Sequence, residues 1–285
     1  MATTLEDAAH HCDELLRSED KDRWLTALFV PEDRRPLIHA LYAFNVELAR
    51  IRSLVREPML GEIRLQWWED AVTGIYTGDT PDHPVLQLLA RAIAAGDLPL
   101  HAFRNMIEAR RFDLYDDPMP SMTDLEGYLG ETSSALIQLA ALVLAGEEAL
   151  RTATISGYAG VAVGIAGLMR SLPQHRARGQ CYVPLDLLAR RGLSPAHVLA
   201  GRADAAMAVV LAELRHVAES RLREARAAET EMPVAALPAF LPASLAETYL
   251  RKLSRVGASV LTEGAPVPQV WRQLRLLRAS WAERF

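Results

Sequence analysis

Leu37, Leu41, Phe44, Leu48, Ile51 and Val55 recur at intervals of three and four along a single stretch of the chain. That interval is the signature of a helix burying one stripe, and it excludes a strand, whose apolar residues alternate. Similar runs follow through most of the 285 residues, with no strand pattern and no internal repeat. The pattern implies an all-α fold, read here as one domain spanning residues 1–285.

The remaining elements follow from breakers and periodicity. Thr4 to Leu28 reads as a helix broken near Ser18 to Asp22, and Pro31 is placed near the first turn of the next helix. Pro58 and Gly61 mark a break before a helix over Glu62–Tyr76, in which Ile63, Trp67, Ala71 and Ile75 share a face and the pair Trp67-Trp68 reads as core. His83-Pro84 reads as a loop and helix start, followed by helices over Val85–Ala95 and His101–Tyr115. The second carries Asp113, with Asp116 and Asp117 beyond it, and reads as a solvated helix end stopped by Pro118. Thr123 or Asp124 is the expected cap of the helix holding Tyr128. In the C-terminal part, helices are expected over Ala203–Ala228 and Leu245–Leu261, with Pro233, Pro238 and Pro242 interrupting the chain between them. The last segment sets Arg272, Arg275 and Arg278 beside Trp271, Leu274, Leu277 and Trp281. It reads as a docked helix with a solvated face, and it is also the candidate for membrane-surface or partner contact.

Thr152 to Met169 is uncharged and close to the length of a membrane span, but its glycine, serine and threonine content favours a buried helix. Gly157, Gly160, Gly164 and Gly167 form a stripe within it. Each glycine costs a helix about 1 kcal/mol against alanine, so something must approach closely: another helix, or the tail of a lipid.

Charge narrows the function class. Thirty-one basic against 36 acidic residues give a net charge of −5 and no basic stripe, so nucleic acid is not an expected partner. Two widely separated cysteines, Cys12 and Cys181, point to a reducing compartment without a disulfide framework. The N-terminal stretch has neither a signal-peptide nor a transit-peptide pattern, so the expected location is cytoplasmic, at most peripheral at the inner membrane. A mitochondrial matrix location would require a transit peptide already removed. His10-His11-Cys12 has no second ligand pair and is not read as a metal site.

Tyr42-Ala43-Phe44, the run Arg64-Leu65-Gln66-Trp67-Trp68, His83-Pro84 and the run Arg178-Gly179-Gln180-Cys181-Tyr182-Val183-Pro184-Leu185-Asp186 occur in the order and spacing of a known family. On these words the chain resembles the squalene/phytoene synthases. The resemblance implies an isoprenoid-synthase-type helical bundle around a central apolar cavity. It also implies two aspartate-rich motifs that hold Mg²⁺ against a prenyl diphosphate. Here Ala49, Arg50 and Ser53 stand where the first motif has aspartates, and Ser171 and His175 stand at the aspartates of the second. Neither alanine, arginine nor serine offers an anionic oxygen to a hard cation. Tyr42, Tyr128, Gly164, Gly167 and Arg170 match positions that imply ligand binding.

The segment Ala43–Ala49, AFNVELA, resembles in particular a non-enzymatic branch of the family that includes mitochondrial complex I assembly factor 6. The implied function is a catalytically silent assembly or stability factor, with a respiratory-complex subunit as partner and no catalytic residue, metal or cofactor. Two alternatives stay open. One is an active prenyl transferase using Mg²⁺ and relocated carboxylates, Asp113, Asp116 and Asp117. The other is a module that binds an isoprenoid or quinone without chemistry. Arg176 and Arg178 are further candidates for a phosphate or an acidic partner.

Overall fold

The computed structural model describes residues 4–285; residues 1–3, at the start of the expected domain, lie outside the described residues. Among the described residues there is no strand. The N-terminal half supplies α1 (Leu5–Glu19), α2 (Lys21–Ala27), α3 (Arg35–Leu54), α4 (Pro58–Thr77), α5 (Pro84–Gly96) and α6 (Leu100–Ala109). The stripe on α3 is buried, with Phe44 edge-on to Trp68 and Phe103 at 5.6 Å. Around it pack α1, α5 and α8 (Ala135–Ala145).

Thr4 caps α1 through a reciprocal pair with Asp7, and Asp20 both ends α1 and caps α2. The expected break near Ser18–Asp22 is therefore one residue wide. Pro31 lies in the turn before α3, and the proline in the first turn of α3 is Pro36. Pro58 opens α4 instead of separating it from α3, because a proline at the first helical position lacks only an N–H that would have no partner there. Gly61 is then inside α4, where a Cβ would lie 2.4 Å from Leu114 Cδ2. Trp68 is buried, whereas Trp67 is 45% exposed and Ile63 is exposed too, so the expected face meets the core only through Ala71 and Ile75 in its second half.

After α7 (Met122–Leu129), capped by Ser121 and not by Thr123 or Asp124, residues Gly130–Ser134 form a π-helical turn that leads into α8. The long uncharged helix, α9 (Ala153–Arg170), is enclosed by α13 (Ala205–Ala227) and α14 (Leu237–Val256). Between α9 and α13 lie the short helices α10 (Leu172–Ala177), α11 (Leu185–Ala189) and α12 (Pro195–Leu199). Pro238 sits in the first turn of α14 and Pro242 inside it, so the expected interruption at these two prolines is a continuous helix starting eight residues before Leu245. The chain ends with α15 (Val260–Glu263) and α16 (Gln269–Trp281), the latter docked on α14 and α2. Cys12 and Cys181 are buried and unpaired.

Candidate functional site

A cleft of about 450 Å³ opens between α3, α9 and α14. Ala49, Arg50 and Ser53 reach it from α3, and Ser171 and His175 from the α9–α10 junction. The two segments, more than 100 residues apart in sequence, thus share one space. Gly164, Gly167, Arg170 and Tyr128 line it as well. Tyr42 does not: its side chain is buried behind the wall, 5.8 Å below the guanidinium of Arg23, which does line the cleft. The α3 stripe turns Tyr42 toward the core, so of the residues expected to meet a ligand it is the one that does not line the cleft. The cleft is not uniformly apolar. Leu129, Val163, Ala166 and Leu245 give it apolar walls, and charged side chains from five helices stand among them.

Those charges are engaged with one another. Arg50, where the resemblance implies an aspartate, turns back one helical turn and meets Glu47 in two bonds, Nη2–Oε1 at 2.8 Å and Nε–Oε2 at 3.0 Å. Burial pushes the Glu47 carboxyl up, and Arg50 opposes that shift. Arg52 donates to Asp116 at 3.0 Å, and the hydroxyl of Ser53 folds onto the carbonyl of Arg50 at 2.6 Å.

Arg170 donates to Asp22 at 2.5 Å and lies 3.9 Å over the ring of Tyr249. The same carboxylate accepts from the Tyr249 hydroxyl at 2.7 Å and from Arg272 at 2.6 Å. Burial alone would raise the Asp22 carboxyl; the two guanidiniums and the phenol overcome it and hold the group below its ordinary value.

Asp113 is the second buried node. It is 6% exposed, so the solvated helix end expected there is corrected. It accepts from Tyr182 at 2.5 Å, from Tyr128 at 2.9 Å and from Arg110 at 3.0 Å. Arg110 also donates to the Asn45 side chain at 3.1 Å, and Gln180 donates to the Asp113 carbonyl at 3.0 Å. The part Asn45 plays is therefore structural, since it takes up the guanidinium that bridges α3 to the Asp113 node. Burial, with Asp113 beside them, keeps the Tyr128 and Tyr182 phenols protonated well above their ordinary range.

His175 packs on Tyr182 at 4.7 Å, and its Nδ1 is buried without a hydrogen-bond partner. Burial first, then the neighbouring Arg178, depress it to about 4, although Asp113 works the other way. It is a neutral ring. Arg176 donates to the carbonyls of Leu199 and Leu261 at 2.9 and 2.8 Å, so it fixes the chain and is not presented to a phosphate.

The donor set does not suit Mg²⁺. Among the described residues no three His, Cys, Asp or Glu side chains are grouped as ligands. Two of the carboxylates lining the cleft, the half-buried Asp22 and the buried Asp113, already accept three donors each. Asp113, Asp116 and Asp117 do not form a replacement clamp: Asp113 is held by tyrosines, Asp116 by Arg52, and Asp117 is exposed. Asp22 sits in no recognisable motif, and its role depends on partners 148, 227 and 250 residues away, so no local signal could have found it.

The glycine stripe on α9 divides into two uses. A Cβ on Gly160 would fall 2.3 Å from the Ser134 Cα in the π-helical turn, and one on Gly164 would fall 2.4 Å from Leu129. These two admit a neighbouring segment. Gly157 and Gly167 meet nothing within 4 Å, and Gly167 faces the cleft.

A family model described as squalene/phytoene synthase matches residues 16–272. The mouse (Mus musculus) protein named NADH dehydrogenase (ubiquinone) complex I, assembly factor 6 is 31% identical over 275 residues, covering 96% of this chain and 82% of that one. Maize (Zea mays) phytoene synthase 3, chloroplastic, is 30% identical over 206 residues, 70% of this chain and 47% of that one. Among solved structures, a dehydrosqualene synthase in complex with ligand superposes with a TM-score of 0.86 at 17% identity, over 98% of this chain and 96% of that one, a likeness of fold.

Proposed function

The chain belongs to the squalene/phytoene synthase family, and within it we propose that it is a catalytically silent assembly or stability factor for respiratory complex I. One observation carries the reading. Both motif positions converge on a single cleft, yet that cleft presents Ala49, Arg50, Ser53, Ser171 and a neutral His175, with its buried carboxylates already satisfied by arginines and tyrosines. A diphosphate leaving group needs its charge neutralised as it departs, and carboxylate-held metal is the means for which the family's fold is built. The full-length similarity to proteins named complex I assembly factor 6 supports a subunit or assembly intermediate of that complex as the protein partner. Its place of action on this reading is the cytoplasmic face of the inner membrane.

The test is loss and restoration. In cells lacking the chain, assembled complex I and NADH oxidation by isolated membranes are expected to fall, and both to return with the wild-type chain. In parallel, the purified protein with Mg²⁺ and farnesyl or geranylgeranyl diphosphate should release no diphosphate. Turnover, or unchanged complex I in the deletion, overturns the reading.

A second reading is compatible with the first. The open face at Gly167 and the apolar walls leave room for an isoprenoid or quinone tail held without chemistry. Mass spectrometry of lipid extracted from gently purified protein tests it, and an extract without such a lipid counts against it.

A further inference from the structure

The polarity of α16 is reversed relative to an ordinary surface helix. Arg272 and Arg275 point inward, to Asp22 and Glu247 at 2.6 and 2.7 Å, while Leu276 and Ala279 are buried beside them. Most of the outward residues are apolar: Trp271 is 63% exposed, Leu277 57% and Trp281 90%, with Val270 and Leu274 exposed as well, and the polar Gln273 and Arg278 stand among them. Spacings of three and four put Val270, Leu274, Leu277 and Trp281 on one line, about 16 Å long at about 1.5 Å per residue. The docked helix expected from the sequence is present, but its outer face is not the solvated polar one.

Beside this stripe lies a hollow of about 640 Å³ between α14 and α16. Arg251, Lys252, Arg255, Arg275 and Arg278 line it, and no carboxylate does. The neighbouring Glu247 is taken by Arg226 and Arg275, and it reaches Arg251 only at 3.6 Å. Lys252, Arg255 and Arg278 have no carboxylate partner among the described residues. On a chain with a net charge of −5, such a group of unpaired cations runs against the overall composition.

We propose that this face seats on an anionic phospholipid bilayer, with lipid phosphates drawn into the cationic hollow and the Trp271–Trp281 stripe lying in the interface. The charge complementarity is specific to such a surface. Tryptophan favours the headgroup level, aliphatic side chains favour the acyl boundary just below it, and flexible cations reach phosphates that have no fixed positions. An acidic protein would satisfy the cations, but it would have to supply a matching apolar groove as well.

The test uses the purified full chain and two vesicle populations, phosphatidylcholine alone and phosphatidylcholine with roughly one third phosphatidylglycerol. Flotation with the anionic vesicles only, weakening as salt rises, is expected. Lys252→Ala with Arg255→Ala should lower the partition coefficient about 25-fold, at about fivefold per cation near the surface. Trp271→Ala with Trp281→Ala should also lower it and leave circular dichroism and urea unfolding unchanged, since both rings are outside the core. Failure of the wild-type chain to float with anionic vesicles overturns the proposal, as does undiminished binding by both double variants. Capture of α16 by an acidic protein without vesicle binding overturns it as well. The vesicle assay contains no complex I, so a chain that floats while its deletion spares complex I keeps this proposal and loses the assembly reading.

Discussion

Two alanines placed seven residues apart on α9 should act with opposite sign. In an unhindered helix, glycine to alanine gains about 0.5–1 kcal/mol. Gly167→Ala should realise that gain, because its new methyl meets nothing within 4 Å. At Gly160 the same methyl would lie 2.3 Å from the Cα of Ser134 and 2.4 Å from its backbone nitrogen. Carbon atoms rest about 3.5–4.0 Å apart, so the π-helical turn would have to move by more than about 1 Å. That turn is also held by the Ser134 hydroxyl, which donates to the Gly157 carbonyl at 2.9 Å. Overpacking costs about 1–3 kcal/mol and a lost hydrogen bond about 1 kcal/mol, against which the propensity gain is about 1 kcal/mol. The net expectation is a loss of about 1–3 kcal/mol for Gly160→Ala. The two variants should therefore differ by roughly 2–4 kcal/mol in urea unfolding, or about 3–7 °C in melting temperature for a chain of this length. Adding Ser134→Gly should not rescue Gly160→Ala, because the obstructing atoms include backbone. Equal stabilities, or a Gly160→Ala protein more stable than the Gly167→Ala protein, would refute the division of the stripe into a packed and an open part.

Two further predictions concern the polar nodes. Asp113→Asn leaves Arg110 buried without its carboxylate, and should cost about 3–5 kcal/mol in denaturant unfolding, with the far-ultraviolet spectrum retained. His175, depressed from 6.5 to about 4 by burial, stays neutral in the fold while the unfolded chain takes up a proton, so its contribution is full above about pH 6.5 and is lost as pH falls toward 4. Because the ring is partly exposed, the loss between about pH 7 and about pH 5 should be about 1 kcal/mol, and His175→Gln should flatten the acid side of the stability profile by that amount.

The helical class was legible because burial of a stripe leaves a periodic trace, and the order of short motifs located the two halves of the cleft. Boundaries misled where a residue's usual meaning depends on position: Pro58 and Pro238 begin helices, and Pro242 is carried within one. Asp113 looked solvated beside Pro118, since nothing local marks Tyr128 and Tyr182 as its donors. In α16 the alternation of arginine and apolar residues was visible, but which set faces inward is decided by Asp22 and Glu247 on other helices. Composition could not supply that choice.

The Asp22 node has a consequence for how the chain acquires its shape. Its three side-chain donors lie 148, 227 and 250 residues further along. Closing such loops costs chain entropy before any contact returns it. During synthesis, the node is therefore expected to be completed only after α14 and α16 have emerged with Tyr249 and Arg272. The last helix acts as a clasp: by bringing Arg272 to Asp22 it completes the cleft wall from outside. Truncation before α16 should then leave a bundle with most of its core but a loosened cleft around Asp22.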